Sequence, residues 1–189
     1  LARGAFVSEI LISMFPAFTS AHSHAFQIGL RGCGERFPSG AADFWSWRQA
    51  MYGLVEQMDP DVAYQLAHRC YREMVQAGIQ TVGEFHYLRH HVTDQLDFVL
   101  DQAVIQAAHD AGIELVLLPA AYEEGGPGMD LSTAQQRFVS GGFRRYWERF
   151  DQLQGMLRSS QSMQACVHSL RAVPWDQVQR HVVEAHRRG

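Results

Sequence analysis

Hydrophobic and polar positions along the chain alternate between a helical and a strand-like period. From Asp59-Pro60 onward, Val62, Leu66, Cys70 and Met74 recur at helical spacing, and Gly78 follows the last turn. An aspartate ahead of a proline at the first helical position, with glycine at the end, predicts a helix over 59–78. The short apolar run Thr81-Val82-Gly83-Glu84-Phe85 then reads as a buried strand. A second helix is predicted from about Asp94 to Ala111, with Leu96, Val99, Leu100, Ala103, Val104 and Ala107 on one face and Gly112 closing it. Ile113 to Leu118 reads as a strand stopped by Pro119. The Gly/Pro loop Glu123–Gly128 leads to a helical region over about Phe143 to Leu157. Met163 to Val167 reads as a further strand, and Pro174 opens a last helix that ends in Arg187-Arg188-Gly189.

Strands that are apolar throughout and alternate with helices predict an α/β fold, a parallel sheet covered by helices. No Gly-x-Gly-x-x-Gly follows any strand, so the signature of an open dinucleotide-binding sheet is missing. The polar residues of interest sit instead at the C-terminal ends of the predicted strands, all but the third: His22 and His24, His86 and Tyr87, His168 and Arg171. Barrel enzymes place their chemistry at that end, so the expectation is a (β/α)8 barrel. About four strand–helix units are legible, where a complete barrel has eight. The chain reads as the first half of one.

Composition narrows the function classes. The 189 residues, 47% hydrophobic and 11% aromatic, suffice for a real core and argue against disorder. A net charge of −4 without any Lys/Arg run gives no support to nucleic-acid binding. No apolar stretch reaches membrane-span length, and Glu9 interrupts the run Phe6–Phe15 that could pass for a signal-peptide core. Cys33, Cys70 and Cys166 are odd in number and far apart, which argues for reduced thiols and a cytoplasmic setting.

The candidate chemistry begins at His22-Ser23-His24, just after the apolar run Phe15–Phe18. Side chains two apart on a strand share a face, so both imidazoles can close on one divalent metal. Three further blocks follow: Phe44-Trp45-Ser46-Trp47-Arg48, Gly83-Glu84-Phe85-His86-Tyr87-Leu88 and His168-Ser169-Leu170-Arg171-Ala172-Val173. In this order and spacing the four blocks resemble the formimidoylglutamate deiminases of the metal-dependent amidohydrolase superfamily, from about Phe15 to the C-terminus. That resemblance implies a zinc-bearing (β/α)8 barrel with a small β-domain. Residues 1–14 would then be a remnant of or linker from that domain, and 15–189 the first half of the barrel. It implies His22 and His24 as zinc ligands, and Gln27, Arg48, Tyr87, His168 and Arg171 as residues that hold the substrate. The implied reaction turns N-formimino-L-glutamate into N-formyl-L-glutamate and ammonia, a step of histidine degradation. Two arginines and a tyrosyl hydroxyl suit a small-molecule dicarboxylate. The family's other ligands and its acid/base residues come from strands five, six and eight, which the resemblance puts beyond Gly189, so no catalytic acid/base is assigned here and the chain alone is expected to be inactive.

Several of these residues also have a purely structural reading. Arg48 sits among Trp45, Trp47 and Tyr52 and could simply stack on them. Glu84, inside an apolar strand, reads as a structural carboxylate. His68, His90, His91, His109, His181 and His186 read as surface residues. The family's usual Pro-Gly, leading leucine and fourth-block proline are replaced by Pro16-Ala17, Ala21 and Val167. Two alternatives stay open: another deaminase of the superfamily acting on a different amidine, and a non-catalytic half-barrel whose bare strand edges make it a homo-oligomer.

Overall fold

The computed structural model describes residues 16–33 and 44–189. Residues 1–14, assigned above to a domain remnant, lie outside the described residues. Five parallel strands form the sheet: β1 (Phe18–Ser23), β2 (Ile79–His86), β3 (Glu114–Ala121), β4 (Gln161–Met163) and β5 (Cys166–Val167). Their order is β1-β2-β3-β4, with β5 pairing β3 beyond the end of β4. The helices are α1 (Phe44–Glu56), α2 (Pro60–Gln76), α3 (Val99–Ala111), the single turn α4 (Thr133–Gln136), α5 (Gly142–Gln154) and α6 (Trp175–Arg188). A 3₁₀ helix, Ala25–Leu30, follows β1 directly. This is the expected α/β architecture, an arc of a (β/α)8 barrel. Among the described residues no helix is long and apolar enough to cross a membrane.

Local chemistry sets the boundaries. The Asp59 carboxylate accepts from the Val62 amide at 2.8 Å and Pro60 opens α2, as the pattern predicts. Helix α3 starts at Val99, five residues later than expected. Asp97 instead folds back to accept from the His91 amide at 3.2 Å, and Phe98 takes a left-handed conformation (φ 53°). Leu96 therefore lies outside the helix and is exposed. Gly112 ends α3 at φ 75°, where a Cβ would be strained.

Pro119 does not stop β3, which runs on to Ala121. On the β4 side Leu115 donates its amide to Ser160 O, and Leu117 O accepts from Gln164 N on that same side. Alternation directs Pro119 there too, between the end of β4 and the start of β5. Its missing N–H thus falls where the ladder has a gap. The expected fourth strand is accordingly two short ones.

The sheet carries two apolar layers. Against the helices, Ala67, Tyr71, Val82, Val104, Ala108, Leu115, Leu117 and Leu153 form one core. Around the strands' C-terminal ends, Phe26, Met51, Val55, Tyr87, Leu88, Leu100, Tyr122 and Phe138 form a second. The second core is the floor on which the polar residues stand.

Candidate active site

The two histidines are positioned by an irregularity in β1. Ser20 pairs with Val82 and Ser23 with Glu84, so β1 spends one residue more than β2 over this step, a bulge. Gly83 permits it: a Cβ there would lie 2.6 Å from the Ala21 carbonyl oxygen. Beyond the bulge the chain leaves the strand, and the Ala25 amide donates to the buried Glu84 carboxylate at 2.8 Å. Burial pushes the Glu84 carboxyl up, and the Ala25 N–H pulls partly the other way. Its role is structural, as expected: it ties the turn after His24 to β2.

The imidazoles of His22 and His24 converge, with their Nε2 atoms 3.1 Å apart. Two nitrogens bound at about 2.1 Å to a tetrahedral ion stand about 3.4 Å apart, so this spacing fits a shared divalent metal. His24 Nδ1 lies 2.9 Å from Phe85 O, a carbonyl that can only accept, so Nδ1 carries the proton and Nε2 keeps its lone pair. Burial lowers the His24 pKa and favours the neutral, ligating form. Among the described residues no group of three or more His, Cys, Asp or Glu side chains could hold a metal. The pair is a two-donor site.

A cavity of about 350 Å³ opens beside it at the C-terminal ends of the strands. It is lined by all seven residues singled out from the sequence: His22, His24, Gln27, Arg48, Tyr87, His168 and Arg171. Tyr87 is buried, its hydroxyl 3.0 Å from Gln27 Nε2, and its pKa is raised chiefly by that burial. His168 packs edge-on against Tyr122 and Tyr87, at 4.7 and 5.2 Å between ring centres. Burial, with Arg171, His24 and Arg48 nearby, pushes its pKa down to about 4, so it is neutral at pH 7. Arg48 does stack, with Cζ 5.2 Å from the Tyr52 ring and 5.6 Å from Trp45, yet it also lines the cavity.

Sequence reasoning missed several residues. Because β3 extends past Pro119, Tyr122 reaches the cavity, so the third strand does contribute at its C-terminal end. Tyr52 and Phe138 line it too. Beneath the site, fully buried Asp101 accepts from His86 at 2.9 Å and from Arg149 at 3.0 Å. Burial alone would raise its pKa, but Arg89, His86 and Arg149 hold it down to about 2. His90 and His181 are buried, against the surface reading. His90 Nε2 lies 2.7 Å from Val139 O, and its Nδ1 accepts from the Phe98 amide. His181 sits among Phe143, Tyr146 and Trp147. Glu123, its pKa pushed up by burial to about 7, accepts from the Gly142 amide and does not line the cavity.

The sequence pattern of the Amidohydrolase family matches residues 13–164. The chain is 35% identical over 180 residues to the formimidoylglutamate deiminase of Pseudomonas aeruginosa, covering 92% of this chain and 39% of that protein. It superposes on the crystal structure of an amidohydrolase from Brucella melitensis with a TM-score of 0.73 at 35% identity, covering 86% of this chain and 38% of that one. An atrazine chlorohydrolase mutant from Arthrobacter aurescens TC1, complexed with zinc and atraton, superposes with a TM-score of 0.68 over 91% of this chain and 38% of its own. At 18% identity that likeness concerns the fold alone. The chain thus spans about two fifths of these relatives' length. A strand-end cavity with a converging histidine pair, on an arc of parallel strands matched along most of its length, places the chain in the amidohydrolase family.

Proposed function

We propose that this chain carries the metal-ligating histidines and the substrate-holding wall of a deiminase that hydrolyses N-formimino-L-glutamate to N-formyl-L-glutamate and ammonia. One observation carries the reading: the seven residues implied by the resemblance, dispersed from position 22 to 171, line one cavity. The 35% identity to a formimidoylglutamate deiminase supports the choice of substrate.

His22 and His24 would hold a zinc ion through Nε2. Bound zinc lowers the pKa of its water to about 7 and so supplies a nucleophile for the formimino carbon. Arg48 and Arg171 offer guanidinium groups for the two carboxylates, and Tyr87, Gln27 and neutral His168 offer polar groups of fixed position. No aspartate or glutamate is among the described residues lining the cavity, so none repels the dianion and none is assigned the proton transfers.

The test is calorimetric titration of the zinc-treated chain with N-formimino-L-glutamate and, in parallel, with guanine. The formimino dicarboxylate should bind, and Arg48→Gln or Arg171→Gln should weaken it at least tenfold, as expected for a charge-assisted contact. Binding of guanine with no binding of the dicarboxylate would overturn the assignment.

A further inference from the structure

Three tyrosines, Tyr52, Tyr87 and Tyr122, line the cavity around one aromatic ring. Phe138 lies 6.4 Å from Tyr52, 5.0 Å from Tyr87 and 5.5 Å from Tyr122 between ring centres. All three oxygens face a nitrogen, that of Tyr87 being Gln27 Nε2 at 3.0 Å, and in Tyr52 and Tyr122 surrounding chemistry fixes that nitrogen as a donor. Arg48 Nε, which can only donate, lies 2.8 Å from the Tyr52 hydroxyl. The Tyr122 hydroxyl lies 2.8 Å from Gln135 Nε2.

The Gln135 amide cannot be turned the other way. Its Oε1 accepts from the Ser132 backbone N–H at 2.9 Å, closing the capping box of α4, and its Nε2 also donates to Gly125 O at 3.2 Å. Nε2 is therefore the atom that faces Tyr122, and Gln135 is itself buried. In both tyrosines the oxygen already accepts a hydrogen bond, and the hydroxyl proton is left over to donate. Tyr122 stands within electrostatic reach of both Arg48 and Arg171.

We propose that Tyr52 and Tyr122 are specificity-determining residues that donate their hydroxyl protons to a carboxylate of the substrate, completing an anion-binding end of the cavity with Arg48 and Arg171. Gln135 acts as a positioning residue, because it keeps the Tyr122 oxygen occupied and turns its proton toward the cavity. The proposal rests on the dicarboxylate reading above and adds to it the groups that distinguish two carboxylates from one.

The experiment is calorimetry of the full chain with N-formyl-L-glutamate, a dicarboxylate, and N-formylglycine, a monocarboxylate. Tyr122→Phe and Tyr52→Phe keep the rings on Phe138 and remove only the donors. Each should weaken N-formyl-L-glutamate about tenfold and leave N-formylglycine within twofold. Gln135→Glu replaces the donor by an acceptor, draws the Tyr122 proton away from the cavity, and should reproduce the Tyr122→Phe loss. In the double variant Tyr122→Phe/Gln135→Glu the two losses should not add. If the wild-type chain binds N-formyl-L-glutamate and both tyrosine variants bind it within twofold, the subsite is refuted while the dicarboxylate reading stands. If the wild type shows no preference for the dicarboxylate, the underlying reading fails and the subsite with it.

Discussion

Replacing Gly83 by alanine is the most direct probe of how the fold holds the histidine pair. The added Cβ would sit 2.6 Å from the Ala21 carbonyl oxygen and 3.1 Å from its carbon, both backbone atoms that cannot rotate away. Carbon–oxygen contacts settle near about 3.4 Å. Taking 3.4 − 2.6, strand β1 must retreat by about 0.8 Å at Ala21. Overpacking of this kind costs about 1–3 kcal/mol, and the entropy advantage of alanine over glycine recovers about 0.5–1 kcal/mol. The net loss of stability should be about 0.5–2 kcal/mol. The retreat also acts unequally on the two ligands. His24 and the turn after it are held to β2 by Phe85 O and Glu84, whereas His22 follows Ala21 directly. The 3.1 Å gap between the Nε2 atoms should therefore widen, beyond the tolerance of about 0.5 Å that a functional constellation allows. Urea denaturation would read the stability, and zinc titration followed by histidine NMR shifts would read the site. Zinc affinity should fall at least tenfold. An unchanged unfolding midpoint together with wild-type zinc affinity would refute the claim that Gly83 sets the geometry of β1.

Asp101→Asn should destabilise the chain by about 3–5 kcal/mol in urea denaturation, because buried Arg149 would lose its ion-pair partner and buried Arg89 a nearby counter-charge. Adding Arg149→Met should recover part of that loss, and a single-variant effect below about 1 kcal/mol would contradict it. Buried His181, its pKa pushed down to about 4 by burial and by Arg180, gives a pH dependence of definite sign. The folded state resists the proton that the unfolded chain takes up near pH 6.5, so stability is full above that pH and declines as pH falls toward 4. The contribution is about 3 kcal/mol, so His181→Phe should flatten the stability–pH curve over that window. An identical slope would count against a neutral buried His181.

Much of this architecture could be read from residue order because its determinants are local. The Asp59-Pro60 start of α2 and the Gly112 stop of α3 act within a few residues, and the structure places them where the pattern does. The errors arose where a distant partner decides. Pro119 breaks a strand only if its amide would face a neighbour, and that depends on where β4 ends, some forty residues on. The start of α3 shifted because the Asp97 carboxylate accepts from both the His91 and the Val99 amides and Phe98 is left-handed, so the helix begins only at Val99. His181 looked exposed on a polar helix, yet three aromatic rings from α5 enclose it. Tyr122 escaped notice for the same reason, since its hydroxyl partner Gln135 lies thirteen residues on, while Tyr52 read only as a ring for Arg48 to stack on and not as a cavity residue. The histidine pair was visible at once, but its irregular strand was not, since a bulge is a mismatch between two strands.

The tie between Glu84 and the Ala25 amide has a kinetic meaning. His22 and His24 are two residues apart, but the bonds that tie the His24 ring and the turn after it to the sheet come from residues about sixty positions later. Closing a loop of that length costs entropy before any contact repays it, and such contacts are made late in folding. As the chain emerges from the ribosome, the motif is present long before the site is. A metal ion meeting the nascent chain would find two untethered imidazoles, which are held together only once β2 has been added beside β1.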